Sequence, residues 1–198
     1  GFEMSSDKEK IITNCGAIEK RVGKKPEFLR FSAAHSTIIL NNTNISELVE
    51  KKSYKRIPKI ISLKNEEDEN ILIWNATHDG YMDNFKRIVK RKLTISKKHP
   101  TISGEDSILC HKLNSKKVLY NIRFHLTPIC SCMLTNNQKS VIIKTKLNQS
   151  WIFSSTNKLK LEESIYINDG KRVERIKQIV ISGYATLQKK IEKWSFSK

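Results

Sequence analysis

Residues Val118, Tyr120, Ile122, Phe124 and Leu126 occupy alternate positions of one nine-residue segment, with Asn121, Arg123 and His125 between them. In an extended chain, successive side chains point to opposite faces, so this segment reads as a strand with an apolar face and a polar face. Similar runs rich in Ile and Val fall at 36–40, 59–63, 70–76, 87–95, 140–147, 151–154, 161–167 and 175–182. Polar stretches separate them, at 64–69, 136–137 and 168–170. Strand following strand at this spacing predicts an all-β fold, an antiparallel β-sandwich rather than βαβ units. Residues 2–4 and 11–13 read as a hairpin closed by 5–10. One helix is expected, over 183–194, where Leu187, Ile191 and Trp194 recur at helical spacing. No linker or repeat divides residues 1–198, which are expected to form a single domain. A chain that opens directly on strand residues reads as a fragment of something longer.

The formal charge of +17 raises the question of an anionic partner. Its cations are 29 Lys against 8 Arg, scattered along the chain as pairs such as Lys51-Lys52 and Lys189-Lys190. Lys, Ile and Asn together supply 70 of the 198 residues, a bias that A/T-rich codons alone produce. Arg, the better residue for forked phosphate contacts, is scarce, and basic patches with interleaved aromatics are absent, which argues against nucleic acid. A solvated Lys-rich surface is the simpler reading of the charge. No run of about 18 apolar residues predicts a membrane span. Cys15, Cys110, Cys130 and Cys132 lack zinc-knuckle spacing, and Cys130 and Cys132 flank a single Ser, so buried free thiols are expected.

Three histidines sit in informative contexts. His35 follows the small residues Ser32-Ala33-Ala34, which leave room for close packing or for a metal to reach the imidazole. His78 opens His78-Asp79-Gly80-Tyr81, a predicted turn in which Asp79 orients the ring and Gly80 permits a positive φ. His125 lies on the polar face of its strand beside Arg123. Each has an ordinary alternative as a hydrogen-bonded structural residue. Neither Glu162-Glu163 nor Glu66-Glu67-Asp68 looks like a glycosidase pair: the first two face opposite ways on a strand, and the second reads as a solvated loop.

Eight segments, in order, carry a further signal: Ile11-Ile12-Thr13-Asn14-Cys15-Gly16, Phe31-Ser32-Ala33-Ala34-His35-Ser36-Thr37, His78-Asp79-Gly80-Tyr81, Gly104-Glu105-Asp106, Arg123-Phe124-His125-Leu126-Thr127-Pro128, Trp151-Ile152-Phe153, Leu161-Glu162-Glu163-Ser164 and Gln178-Ile179-Val180. Together they span almost the whole chain and resemble the C-terminal domain of heparinase II/III-like proteins, particularly the alphaproteobacterial variety. The resemblance implies a β-sandwich that follows an N-terminal α/α toroid in a polysaccharide lyase. Such enzymes cleave a glycosaminoglycan or related acidic polysaccharide by β-elimination at a uronic acid. Catalytic Tyr, Asn and His come largely from the toroid, with a further His from the sandwich.

Some members also hold a metal, so zinc or calcium is the implied cofactor. Of its ligands, His35 matches the Ala-Ala-His position, and Asn14 stands where metal-binding members place an Asp. An amide oxygen is an uncharged and weaker donor. His78, Asp79, Tyr81 and His125 match family positions that support or line the site. On this reading the implied partners are an acidic polysaccharide and the toroid of the same protein. The chain alone is expected to be inactive, and the implied setting is the bacterial cell envelope or periplasm, or else the cytoplasm. The other reading is a non-catalytic carbohydrate-binding or interdomain structural module.

Overall fold

A computed structural model of the chain describes residues 1–17, 27–48, 54–111, 116–168, 172–186 and 189–198. The chain opens with a hairpin, β1 (Met4–Ser6) and β2 (Glu9–Thr13). Two 3-10 turns, Glu27–Arg30 and Ser32–Ala34, lead into β3 (Ile38–Leu40). A small ribbon follows, β4 (Glu47–Leu48) with β5 (Tyr54–Arg56). Then comes a meander of long strands: β6 (Ile60–Glu67), β7 (Ile71–Tyr81), β8 (Arg87–Ser96) and β9 (Thr101–Cys110), with the helical turn α1 (Met82–Phe85) after β7. The remainder is β10 (Val118–Leu126), β11 (Ser131–Leu134), β12 (Ser140–Lys144), β13 (Ser150–Ser155), β14 (Leu159–Asn168), β15 (Arg172–Ala185) and β16 (Lys190–Ser197).

Two antiparallel sheets result. The larger has the order β11-β12-β13-β16-β9-β8-β7-β6, and the smaller β1-β2-β10-β15-β14, with β3 also paired to β10. Their facing sides bury Ile11, Tyr120, Ile122, Phe124, Phe153, Ile179 and Phe196 completely. Phe2, Phe124, Phe153, Trp194 and Phe196 form an aromatic cluster with neighbouring centroids 4.7–6.3 Å apart. Such rings bring both large apolar area and favourable edge-to-face contacts to the core. This is the antiparallel sandwich that the alternating segments predict.

Inside it lies an ion pair. The Arg91 guanidinium donates through Nε and Nη2 to the two oxygens of Asp106, at 2.6 and 2.8 Å, and stands 5.7 Å from the Trp194 ring centroid. Asp106 is 1% exposed and also accepts from Trp194 Nε1 at 2.9 Å. With both oxygens occupied, the desolvated carboxylate is compensated only while these partners stay in place. Two further buried carboxylates also accept from neighbouring groups, Glu9 through both oxygens and Glu192 through Oε1 alone. Glu192 accepts from Tyr120 and Asn157, and Glu9 accepts from Thr145 and the Leu147 amide.

Several local expectations change. The helix expected at 183–194 is instead the end of β15 and the start of β16; Leu187 lies outside the described residues. Strand period wins there because β16 has hydrogen-bonding neighbours on both sides, β9 and β13, and alternation buries Glu192, Trp194 and Phe196. The 64–69 turn shrinks to 68–70, where Asp68 Oδ1 accepts from the Asn70 and Ile71 amides, while Lys64 to Glu67 extend edge strand β6. Charged side chains suit an unpaired sheet edge. His78 to Tyr81 is not a turn but the end of β7, with a register shift against β8. Gly80 has no positive φ; a Cβ there would lie 2.6 Å from Ile45 and 3.0 Å from the His78 ring. The N-terminal hairpin turns tightly at Asp7, whose φ is 52°. The central strand β9 escapes sequence reading because five of its first six residues are Thr101, Ser103, Gly104, Glu105 and Asp106.

Removing one partner of the buried pair leaves the other charge uncompensated, so Asp106→Ala is expected to cost about 3–5 kcal/mol. The Lys10–Glu3 pair is 46% and 43% exposed, and Lys10→Ala is expected to cost less than about 1 kcal/mol. Urea unfolding of the two variants checks the contrast.

Candidate functional site

Ser36 is the junction on which the site is assembled. Its hydroxyl donates to the Thr13 carbonyl at 2.8 Å and accepts the His125 amide at 3.0 Å. Its carbonyl accepts from Arg91 Nη1 at 2.9 Å. The residues flanking these contacts are therefore brought to one place: Asn14 after Thr13, His35 before Ser36, and the large sheet through Arg91. The preceding 3-10 turn packs closely because Ala33 and Ala34 are small; the Ala34 carbonyl accepts the Cys15 amide at 2.8 Å.

His35 is half-buried, and burial holds its pKa below the ordinary histidine value, with the Gly1 amine adding to the effect. The Leu29 carbonyl opposes the shift by favouring the protonated ring. His78 on β7 is also held low, chiefly by burial and then by the Gly1 amine, against an opposing pull from Asp79. Its Nδ1 accepts the Gly80 amide at 3.1 Å, leaving a donor at Nε2. Both imidazoles thus lie within electrostatic reach of Gly1, and a side chain at that position would begin 3.8 Å from the His35 Cβ. Glu3 completes the group, accepting from Asn14 Nδ2 at 2.7 Å and acting on His35. Gly1, His78 and Arg91 line a cavity of about 410 Å³ together with Ile38, Trp74 and Leu93, and His35 lies behind Gly1 outside that lining.

The structure thus draws His35, His78 and Asn14 around the start of the chain. The other three residues singled out from sequence do structural work. Tyr81 is fully buried; its hydroxyl lies 3.2 Å from the Ile38 and Thr43 carbonyls, and burial raises its pKa. Asp79 Oδ1 accepts the Lys59 amide at 2.6 Å instead of orienting His78. His125, expected on a polar face, is 1% exposed, because the Ser32–Ala34 turn and β14 cover that side of β10. Its Nε2 donates to the Ala33 carbonyl at 3.0 Å, and its Nδ1 accepts from Ser164 at 2.9 Å. The Cys15 thiol adjoins both. Sequence reading missed Arg91 and Glu3. Arg91 was findable: between Val89 and Leu93 on an alternating strand, it occupies an inward position where an apolar residue is expected.

Asn14 Oδ1 accepts the Gly16 amide at 2.8 Å, and its Nδ2 is turned to Glu3. That amide is committed to the backbone and to a carboxylate. Among the described residues, no group of three His, Cys, Asp or Glu side chains is placed to hold an ion. The described residues do not make a metal cage by themselves.

An antiparallel sandwich with a half-buried histidine lining a cleft narrows the class, and comparison with known proteins supplies the family. The profile of the heparinase II/III-like C-terminal family matches residues 1–195, and the chain belongs to that family. Its fold is similar to that of the heparan sulfate lyase HepC from Pedobacter heparinus, with a TM-score of 0.78 at 13% identity over 98% of this chain. It is similar as well to a heparinase III, the BT4657 gene product, with a TM-score of 0.75 at 11% identity over the same share. At those identities the likeness is one of fold. The chain spans 29% of the length of each of those two. No curated protein sequence matches it.

Burial moves the His125 pKa from 6.5 down to about 4. The unfolded ring therefore takes up its proton at higher pH than the folded one. Its contribution is whole above pH 6.5 and is lost as pH falls toward 4. The loss amounts to roughly 3 kcal/mol. His35 and His78 act in the same direction. His125→Asn is expected to flatten the acid limb of the stability profile, measured by urea unfolding from pH 7 to 4.

Proposed function

We propose that this chain is the C-terminal sandwich of a polysaccharide lyase acting on an acidic, uronate-containing polysaccharide by β-elimination. The toroid of the longer protein would complete the cleft, in the setting of a bacterial envelope or periplasm. Family membership supports the lyase class, and one observation carries the finer reading. His78 lines the cleft with a donor left at Nε2, and His35 stands beside Gly1, which lines it too, its neutral ring offering an acceptor nitrogen.

Elimination needs both donor and acceptor. The C5 proton of a uronate becomes acidic only if negative charge arriving on its carboxylate is stabilised. His78 Nε2–H is the donor for that carboxylate. An imidazole nitrogen of His35 is the base that takes the C5 proton. The released electron pair forms the C4–C5 double bond, and the C4–O bond breaks. The departing oxygen takes a proton from the toroid side or from water. Arg91, already bound to Asp106 and Ser36, holds this arrangement together and is a positioning residue. No step requires a metal. Zinc or calcium would reach His35 and Asn14 only with further donors from the rest of the protein.

The longer protein is expected to release unsaturated uronate, followed by ultraviolet absorbance, from one of a panel including heparan sulfate, chondroitin sulfate and alginate. His35→Ala and His78→Ala should each lower kcat by about 10²–10⁴, and the present chain alone should give no turnover. Absence of product across the panel would refute elimination, and binding without turnover would favour the non-catalytic module. Because Asn14 is committed elsewhere, zinc is expected to leave the Tm of this chain unchanged; a rise abolished in His35→Ala would show a metal site after all.

A further inference from the structure

The side of the large sheet turned away from His78 and Arg91 carries a second concavity, an open trough of about 440 Å³. Alternation along β8 puts Arg91 and Leu93 inward, and Lys92 and Thr94 outward. Antiparallel register then aligns the outward residues from strand to strand. Thr94 stands opposite Ser103, Ser103 opposite Ser195, and Ser195 opposite Ser154. Short hydroxyl side chains thus form a floor across β8, β9, β16 and β13, about 14 Å at the usual strand spacing of about 4.8 Å. The adjacent row is taller and charged: Lys92 opposite Glu105, and Glu105 opposite Lys193. On the other side Ile152 rises, 44% exposed, opposite Ser197. Strand propensity does not explain this floor, since strands favour β-branched and aromatic residues and three of its four members are serines.

We infer that this trough is a second saccharide-binding site, holding a stretch of the acidic polysaccharide outside the cleft. The inference rests on the acidic-polysaccharide reading above and adds where else the chain is held. Serine and threonine hydroxyls both donate and accept, as sugar hydroxyls do, so a pyranose chain laid along the floor can exchange hydrogen bonds with it. Lys92 and Lys193 meet carboxylate or sulfate groups through charge-assisted hydrogen bonds. Glu105 between them reduces the row to a single net positive charge and offers an acceptor for sugar hydroxyls. Such a field suits spaced charges with hydroxyls between them, not the dense charge of a polyphosphate. The trough and the cleft lie on opposite faces of one sheet, so one long polymer can occupy both, which raises its effective concentration at the cleft.

The test is titration of the 198-residue chain with a heparan sulfate hexasaccharide, followed by calorimetry and amide chemical shifts. Shifts should centre on Thr94, Ser103 and Ser195. The double variant Lys92→Ala/Lys193→Ala should raise Kd about tenfold with an unchanged Tm, and Glu105→Gln should lower it. Unchanged Kd in the double variant, or displacement of the sugar by inorganic polyphosphate at equal charge concentration, would overturn the trough. So would a lack of binding to heparan sulfate, chondroitin sulfate and alginate oligosaccharides alike. Lyase action is judged separately, by unsaturated product from the longer protein, so either idea can fail alone.

Discussion

The contact of Arg91 with Asp106 and with the Ser36 carbonyl is the constraint on which fold and site both depend. An arginine inside a sandwich is tolerable only if its donors are used, and the geometry uses them on both sheets. Two N–H groups go to a carboxylate of the large sheet, and one goes to the segment entering β3 of the small sheet. The ion pair is thereby a clasp between layers. Ser36 adjoins His35, and β8 is the hydrogen-bonded neighbour of the strand that carries His78, so the same clasp ties both segments to Arg91. Burial of apolar side chains drives assembly of this core, yet it is non-directional. The polar clasp adds the direction.

Burial gives the histidines different tasks. For His125, with both ring nitrogens used internally and 1% exposure, it produces a pin that joins the Ala33 turn to β10 and β14. For His35 and His78, partial burial disfavours the proton, and the backbone contact of His78 at Nδ1 leaves its Nε2 as a donor. A neutral imidazole at neutral pH with a free nitrogen is the form that can move a proton. The chemistry follows from how far each ring is covered, not from being histidine.

Much of the architecture was legible because strand alternation is written in residue types: the Val118–Leu126 face and most of the Ile-rich runs lie in strands of the two sheets. Legibility failed where a strand's letters were polar or its period ambiguous. In β9, Asp106 points inward only because Arg91 waits across the strand pair, and in β16 the spacing of Ile191 and Trp194 fits a helix until two flanking strands claim it. The candidate site was legible in part. His35, His78 and Asn14 converge, whereas His125, Asp79 and Tyr81 are consumed by backbone groups that no local motif reveals.

By itself, the amino-acid sequence determined a two-layer antiparallel β protein with a Lys-rich surface, because alternation and composition are local properties that each segment carries alone. Tertiary structure alone decided which polar side chains became buried partners and which remained available, and it aligned Thr94, Ser103, Ser195 and Ser154 into one floor. The reason is physical: burial and cross-strand register depend on segments far apart in the chain, and desolvation sets a group's protonation only once those segments have met.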